Sequence, residues 1–414
     1  MINNRGNNLI FLLCTPRSGS SLATVMLQNH SKVFATQEMW FLMGLSDLQV
    51  AAHRPYGGNG IIKQFYHGIL PKQTFENASR AFSLQVYNGL LQSSGAEMLI
   101  DKSPRYYYNL EFIDSLFPQS KRIWLIRNPL SIISSYKKVN KHVNDRFNLK
   151  EDLLNPGFNI KMTDITVGLF RYLDYFSVKS KYAYHLRYEE MVKRPQAELQ
   201  KLCSFLGLSY EEGLEKYGDF QDTAKSDLYY SMGVGDPFVT HHNEPHLDSL
   251  HSWKEILDKE EIEMYCRAIG AKIFHDLGYT EELEEAQRIT GTTFQLEPDA
   301  ALLQLRRKQL IDASGCSWSD GYQLRSDYTD AADSAASEMT LPELQQSVNS
   351  QQLQLQITLR SLERRLEKSY LEQRRLQSQL EATKQKIKRV KSMIPFGNQL
   401  SHLASTYLIG GKKR

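Results

Sequence analysis

An apolar run, Leu9-Ile-Phe-Leu-Leu-Cys14, leads directly into Thr15-Pro-Arg-Ser-Gly-Ser-Ser21 and then into the helical pattern Leu22–Asn29. A strand that turns through Gly and Ser into a helix points to an α/β architecture and builds an anion site. The N–H groups of the first helical turn and the positive end of the helix dipole face one spot. Arg17 adds a fixed charge whose forked donors suit phosphate or sulfate. The segment therefore predicts a phosphorylated or sulfated nucleotide near the N-terminal end of the chain. It is not the Gly-x-x-x-x-Gly-Lys-[Ser/Thr] loop of ATPases and GTPases, because no lysine follows Gly19 and the basic residue precedes it. A donor that needs no bridging magnesium is favoured. The plain alternative is a Gly/Ser turn with no ligand.

The chain has 414 residues, enough for one large domain with an appendage or for two domains. A net charge of +3 gives no global field for nucleic acid. Cys14, Cys203, Cys266 and Cys316 are scattered without metal or disulfide spacing. Leu9–Cys14 is too short for a signal-peptide core, and no apolar run approaches the ~20 residues of a spanning helix. The expected setting is cytoplasmic and reducing.

Through about residue 285, short apolar runs alternate with amphipathic segments, which predicts an α/β domain with a mostly parallel sheet. The strand candidates are Leu9–Cys14, Val33–Ala35, Met98–Ile100, Ile123–Ile126 and Tyr182–Leu186. Helices are expected over Phe75–Leu91 and over Pro195–Leu206, the latter opened by proline and stopped by Gly207. Residues 286–339 are expected to be a partly disordered linker carrying one short helix, Ala300–Ile311, because Asp312–Met339 is rich in Ser, Asp, Ala and Gly. Residues 340–394 read as a coiled-coil helix. Its seam runs without a break from Leu341 through Leu355, Leu362, Leu376 and Val390, and from Gln345 through Leu359, Leu366, Leu380 and Ile394. A homodimer through this helix is expected, with a solvated single helix as the alternative. Its basic end, Lys384–Lys391, and the basic flexible tail 395–414 would suit a membrane or glycan-assembly contact.

Each strand candidate is followed by a polar signature, and in an open parallel sheet ligands bind beyond the carboxyl ends of the strands. The five are the Arg17 loop, Glu38, Asp101-Lys-Ser-Pro104, Arg127-Asn-Pro-Leu-Ser131 and Arg187-Tyr-Glu189. Asn128 suits a helix N-cap and Pro129 the first helical position. Ser131 and Ser135 then share a face, so Arg127 and Ser135 could grip a second phosphate. His241-His-Asn-Glu-Pro-His246 fits no helical zinc spacing and reads as a loop; no metal is expected.

The pairing of Thr15–Ser21 with Arg127-Asn-Pro and Ser135 resembles the PAPS-dependent sulfotransferases, where PAPS is 3′-phosphoadenosine 5′-phosphosulfate. The resemblance is to the type with a Pro-Arg-Ser-Gly loop, which includes bacterial members and the tyrosylprotein sulfotransferases. It continues through Leu186–Val192, Leu199–Leu208 and Ser249–Lys254 and covers about residues 8–280. It implies a P-loop-like parallel sheet flanked by helices. It implies that Arg17, Ser18, Gly19, Ser20 and Ser21 bind the 5′ side, that Arg127 and Ser135 bind the 3′-phosphate, and that Tyr188, Ser249 and Lys254 complete the nucleotide site. Glu38 matches the acidic base, and Lys102 a lysine near the transferred group. The chain departs from the pattern at Gln37, where many bacterial members have proline. It departs again at Val139, where the tyrosylprotein enzymes have an arginine that Lys137 or Lys138 could replace.

The implied reaction moves a sulfuryl group from PAPS to an acceptor hydroxyl, on a glycan, lipid, small molecule or protein. By analogy with loose phosphoryl transfer, Arg17, Lys102 and the loop N–H groups would stabilise the spreading charge while Glu38 takes the acceptor proton. Two alternatives remain open: a catalytically inactive nucleotide-binding module serving a coiled-coil scaffold, and a nucleotide-dependent transferase of another kind, such as a kinase.

Overall fold

The computed structural model describes residues 1–50, 59–218, 224–231, 236, 238–316, 318–325, 366, 369–370 and 373–389. The chain divides into two units, Met1–Thr340 and Leu341–Arg414.

The first unit is built on five parallel strands, β1 (Leu9–Leu13), β2 (Val33–Ala35), β3 (Met98–Lys102), β4 (Lys121–Ile126) and β5 (Ala183–Arg187), in the order β2-β3-β1-β4-β5. Each strand candidate read from the sequence is present. β3 and β4 each run two residues past the predicted end or start, because β1 pairs with both, Leu12 facing Lys102 on one side and Ile10 facing Lys121 on the other. β1 is apolar throughout since it is buried on both faces. Its side chains alternate between two cores, with Leu9, Phe11 and Leu13 entering one and Ile10, Leu12 and Cys14 the other.

The helices that cover the sheet begin with α1 (Ser20–Gln28), α2 (Phe41–Asp47), α3 (Asn59–Lys63) and α4 (Lys72–Ser94), the last longer at both ends than predicted. A π-helical turn, Gln64–Ile69, continues α3. Next come α5 (Leu110–Leu116), α6 (Pro129–His142), α7 (Leu149–Asp152), α8 (Ile160–Thr163) and, after a second π-helical turn at Asp164–Gly168, α9 (Leu169–Tyr175). Beyond β5 lie α10 (Tyr188–Lys193), α11 (Pro195–Leu206) and α12 (Ala224–Tyr230). The last group is α13 (Trp253–Ile256), α14 (Lys259–Ile269), α15 (Lys272–Asp276), α16 (Thr280–Thr290) and α17 (Ala300–Ser314). α11 begins at Pro195 and ends at Gly207, whose φ of 82° supplies the left-handed cap.

The expected linker over 286–339 begins later than its composition suggested. α17 lays Leu302 and Leu310 into the core, and Phe294 and Leu324 are buried there too. Arg306 is wholly buried on the carbonyls of Asp152 and Leu153. Tyr322 donates to Asp114 at 2.8 Å, and the Leu324 N–H donates to the Tyr175 carbonyl at 2.9 Å. Residues through 325 therefore belong to the folded first unit. In the second unit, 373–389 is helical and exposed; the rest of the predicted coiled coil, apart from 366 and 369–370, and the tail 395–414 lie outside the described residues.

Candidate functional site

The site lies beyond the carboxyl ends of β1, β3 and β4, where the strand order reverses about β1. The loop after β1 makes two left-handed steps, at Arg17 (φ 71°) and Gly19 (φ 97°). Gly19 is the N-cap of α1 and has no side chain to offer, so the helix start receives no side-chain cap and its N–H groups are left for an anion. The absence of a Cβ matters for a second reason: one built on Gly19 would lie 2.4 Å from Cδ2 of Tyr188. One edge of the Tyr188 ring is pressed against the loop.

The second motif closes on the first. Asn128 caps α6 by accepting from the Leu130 N–H at 3.0 Å, with Pro129 in the first turn, as its sequence predicts. This turn aims Arg127 back at the β1 loop. Nη1 of Arg127 donates to the Arg17 carbonyl at 2.8 Å, and its guanidinium stacks over the Tyr188 ring at 4.1 Å. Tyr188 in turn shares a 2.7 Å hydrogen bond with Ser249. Glu189 holds the turn from behind, accepting from the Asn128 N–H at 3.0 Å and from the Tyr279 hydroxyl at 2.7 Å. Two buried polar atoms here, Nε of Arg127 and Oγ of Ser131, have no hydrogen-bond partner among the described residues. Unpaired buried donors are what a bound anion would satisfy.

Arg17 and Ser135, assigned by resemblance to two different phosphates, touch: Nε of Arg17 donates to the Ser135 hydroxyl at 3.3 Å. The same guanidinium holds Asp236 at 2.8 Å, a pair that is only partly exposed. No sequence signal singled out Asp236; its partner lies 219 residues away.

At the end of β3, Lys102 is fully buried and donates to Gln37 and to Glu38, each at 3.3 Å. An ammonium has three donors, so one remains for a further acceptor. Glu38 has a third of its side chain open to solvent. Gln37 thus helps to position the lysine. Beneath them Asp101 accepts from the hydroxyls of Tyr87 and Tyr106 at 2.5 and 2.7 Å. Burial pushes its carboxyl up to about 6 against these hydrogen bonds. Burial likewise pushes the Cys14 thiol, under the loop, up to about 12. Asp164, also buried, holds Arg105 through both oxygens and accepts from Tyr107 and Tyr136.

Arg17, Gly19, Arg127, Ser135, Tyr188 and Ser249 are thus joined in one network, Ser18, Ser20 and Ser21 lie in its loop and the helix start, and Lys102 pairs with Glu38. Lys254 is the exception: its ammonium pairs with Glu285 of α16 at 3.3 Å. Of the two lysines near Val139, Lys137 is held by both oxygens of Glu261, while Lys138 sits over the Phe238 ring at 5.1 Å. His242 and His246 pack ring to ring at 4.0 Å, and burial lowers the His246 pKa from its ordinary value.

Residues 9–212 match the Sulfotransferase family. The nodulation protein NoeE of Sinorhizobium fredii (strain NBRC 101917 / NGR234) is 27% identical over 290 residues, 67% of this chain and 68% of that protein. The omega-hydroxy-beta-dihydromenaquinone-9 sulfotransferase Stf3 of Mycobacterium tuberculosis (strain CDC 1551 / Oshkosh) is 29% identical over 167 residues, 39% of this chain and 40% of that one. Protein-tyrosine sulfotransferase A of Caenorhabditis elegans is 23% identical over 215 residues, 50% and 52% of the two chains. The matched regions thus span about two thirds of NoeE and about half or less of the other two. Among solved structures, a sulfotransferase domain from the Curacin biosynthetic pathway is 26% identical, with a TM-score of 0.42 over 62% of this chain and 95% of that one.

Proposed function

Since the chain belongs to the PAPS-dependent sulfotransferase family, we propose that it transfers the sulfuryl group of PAPS to an acceptor hydroxyl, with Glu38 as the base. The observation that carries this reading is the joining of the β1 and β4 loops. The Arg127–Arg17 and Arg17–Ser135 bonds tie the two loops together, Nε of Arg127 has no partner among the described residues, and the Lys102–Glu38 pair stands at the neighbouring strand end. The fit to a doubly anionic nucleotide is chemical: forked guanidinium donors, free N–H groups at a helix start and a flat aromatic ring suit two phosphate ends and a base.

In this reading the start of α1 and Arg17 hold the 5′-phosphosulfate, while Arg127 and Ser135 hold the 3′-phosphate. The acceptor oxygen forms a bond to sulfur as the bond from sulfur to the bridging phosphate oxygen breaks. The hydroxyl proton passes to the Glu38 carboxylate, and the departing phosphate oxygen keeps the electron pair. Lys102 meets that charge with its remaining donor, and Arg17 does so from the loop. A base held in place contributes roughly 10²–10⁴-fold. Lys102 also fixes the orientation of Glu38 through their 3.3 Å contact. Lys254, tied to Glu285, has no part in this scheme.

Calorimetry tests the nucleotide assignment. The protein should bind PAP, the product nucleotide, without magnesium and far more tightly than ATP. Arg127→Ala should weaken PAP by about 2–5 kcal/mol, the usual loss for a desolvated, hydrogen-bonded charge. Equal affinity for PAP in a folded Arg127→Ala protein would overturn the assignment.

A further inference from the structure

Past the Lys102–Glu38 pair the chain turns outward through Trp40, which holds φ at 50° and leaves 49% of its surface exposed. A bulky aromatic in the left-handed region is an outlier, and such strain clusters at ligand clamps. Among the described residues its ring meets no other ring. Trp40 also begins an apolar wall. Phe41 packs edge-on against Tyr87 at 5.5 Å and lies 5.7 Å from Phe82. Tyr87 is the residue whose hydroxyl bonds to Asp101, beside Lys102, so α4 is anchored to the strand end that bears the reacting groups. The π-helical turn joins the same wall: His67 bonds to the Gln49 carbonyl at 3.0 Å, and Tyr66 meets Phe75 edge-on at 5.7 Å. π-Helical turns are frequent at functional sites.

On these segments Leu48, Ile61, Phe65, Ile69 and Phe82 are exposed by 39%, 71%, 46%, 74% and 53%. Exposed large apolar side chains on segments tied together beside a reacting pair point to a ligand or partner site. Trp40 and Phe41 follow Glu38 by two and three residues, and that adjacency to the base selects the occupant.

Resting on the sulfotransferase reading above, we infer that the acceptor is an amphiphile. Its hydroxyl reaches Glu38 while an apolar chain or ring system lies along Trp40 and the wall behind it. Trp40 is a positioning residue that fixes the acceptor beside the base. A wholly polar sugar or peptide would leave this wall in water and gain nothing from it.

The test uses the full chain, labelled PAPS and a series of alkyl glucosides from butyl to decyl, each below its critical micelle concentration, with free glucose as the polar reference. Fully buried methylenes contribute roughly fourfold each, so even partial burial should raise kcat/KM by at least about tenfold across the series. Trp40→Ala should flatten this dependence and raise KM for the long-chain glucosides, and Trp40→Phe should restore it. Calorimetry of the same glucosides against PAP-saturated protein reads the chain-length dependence independently of turnover. Glucose serving as well as decyl glucoside, no glucoside binding at millimolar concentration, or an unchanged KM in Trp40→Ala would overturn the inference. PAP affinity separates the two claims: a wild-type protein that fails to bind PAP sinks the sulfotransferase reading. One that binds PAP but ignores chain length sinks only the acceptor class.

Discussion

Replacing Gly19 by alanine puts a methyl group where the ring of Tyr188 already is. The new Cβ would stand 2.4 and 2.5 Å from two ring carbons. Carbon atoms prefer ~3.5–4.0 Å, so the ring must retreat by roughly 1 Å or more. It is not free to do so, because Arg127 covers its face at 4.1 Å and Ser249 holds its hydroxyl at 2.7 Å. Alanine at a φ of 97° also carries left-handed strain of about 1–2 kcal/mol. Forcing a packed side chain aside adds about 1–3 kcal/mol. Gly19→Ala should therefore lose roughly 2–5 kcal/mol of stability in urea unfolding. Calorimetry should show PAP affinity lowered by at least about tenfold, since the displaced ring drags Arg127 with it. The double variant Gly19→Ala, Tyr188→Ala removes the overlap but not the strain. Its stability loss should fall short of the sum of the single losses by about 1–3 kcal/mol. Strictly additive losses, or unchanged PAP affinity in Gly19→Ala, would refute the claim that this ring and loop form one nucleotide surface.

Asp236→Asn should strengthen PAP binding, by up to about fivefold, because it removes a carboxylate that competes for Arg17; a partly exposed ion pair is worth up to ~1 kcal/mol. Weaker binding would mean that Asp236 orders Arg17 for the ligand instead. Truncation after residue 325 should leave a folded protein that binds PAP. Truncation after Glu285 should abolish cooperative thermal unfolding, since it strips Leu302, Leu310, Leu324 and the buried Arg306 from the core. The raised pKa of Asp101 sets a pH dependence. Between its ordinary value of 3.8 and about 6 the folded state binds more protons than the unfolded one, so the Asp101 contribution to stability falls as pH rises through that window. The stability of wild type minus Asp101→Asn should drop by roughly 2 kcal/mol from pH 4 to pH 7, and a flat difference would contradict the burial argument.

The inner strand β1 was readable because it is buried on both faces and apolar throughout, whereas the edge strand β5 is buried only at Leu186 and its polar residues blur its pattern. Asn128-Pro129 was readable because capping chemistry is local. Gly19 and Arg17 were readable as a loop, but the seat of Tyr188 on Gly19 was not, since it depends on a contact across 169 positions of sequence. Asp236 left no trace because an isolated carboxylate in a loop has no pattern. Residues 312–325 looked like a linker because their few apolar anchors, Tyr322 and Leu324, show no periodicity; only the tertiary bonds to Asp114 and Tyr175 reveal that they are folded. Lys254 was assigned by resemblance alone, and its ammonium pairs with Glu285 of α16.

The central claim is that the Lys102–Glu38 pair performs sulfuryl transfer beside a nucleotide held by the two joined loops. Transfer of label from radiolabelled PAPS to decyl glucoside, measured side by side for wild type and Glu38→Gln, tests it most directly. Glutamine keeps a hydrogen-bond acceptor for Lys102 but cannot take the proton. Wild type should transfer label, and Glu38→Gln should bind PAP as wild type does while turning over roughly 10²–10⁴-fold more slowly. Full transfer by Glu38→Gln, with PAP affinity intact, would contradict the account.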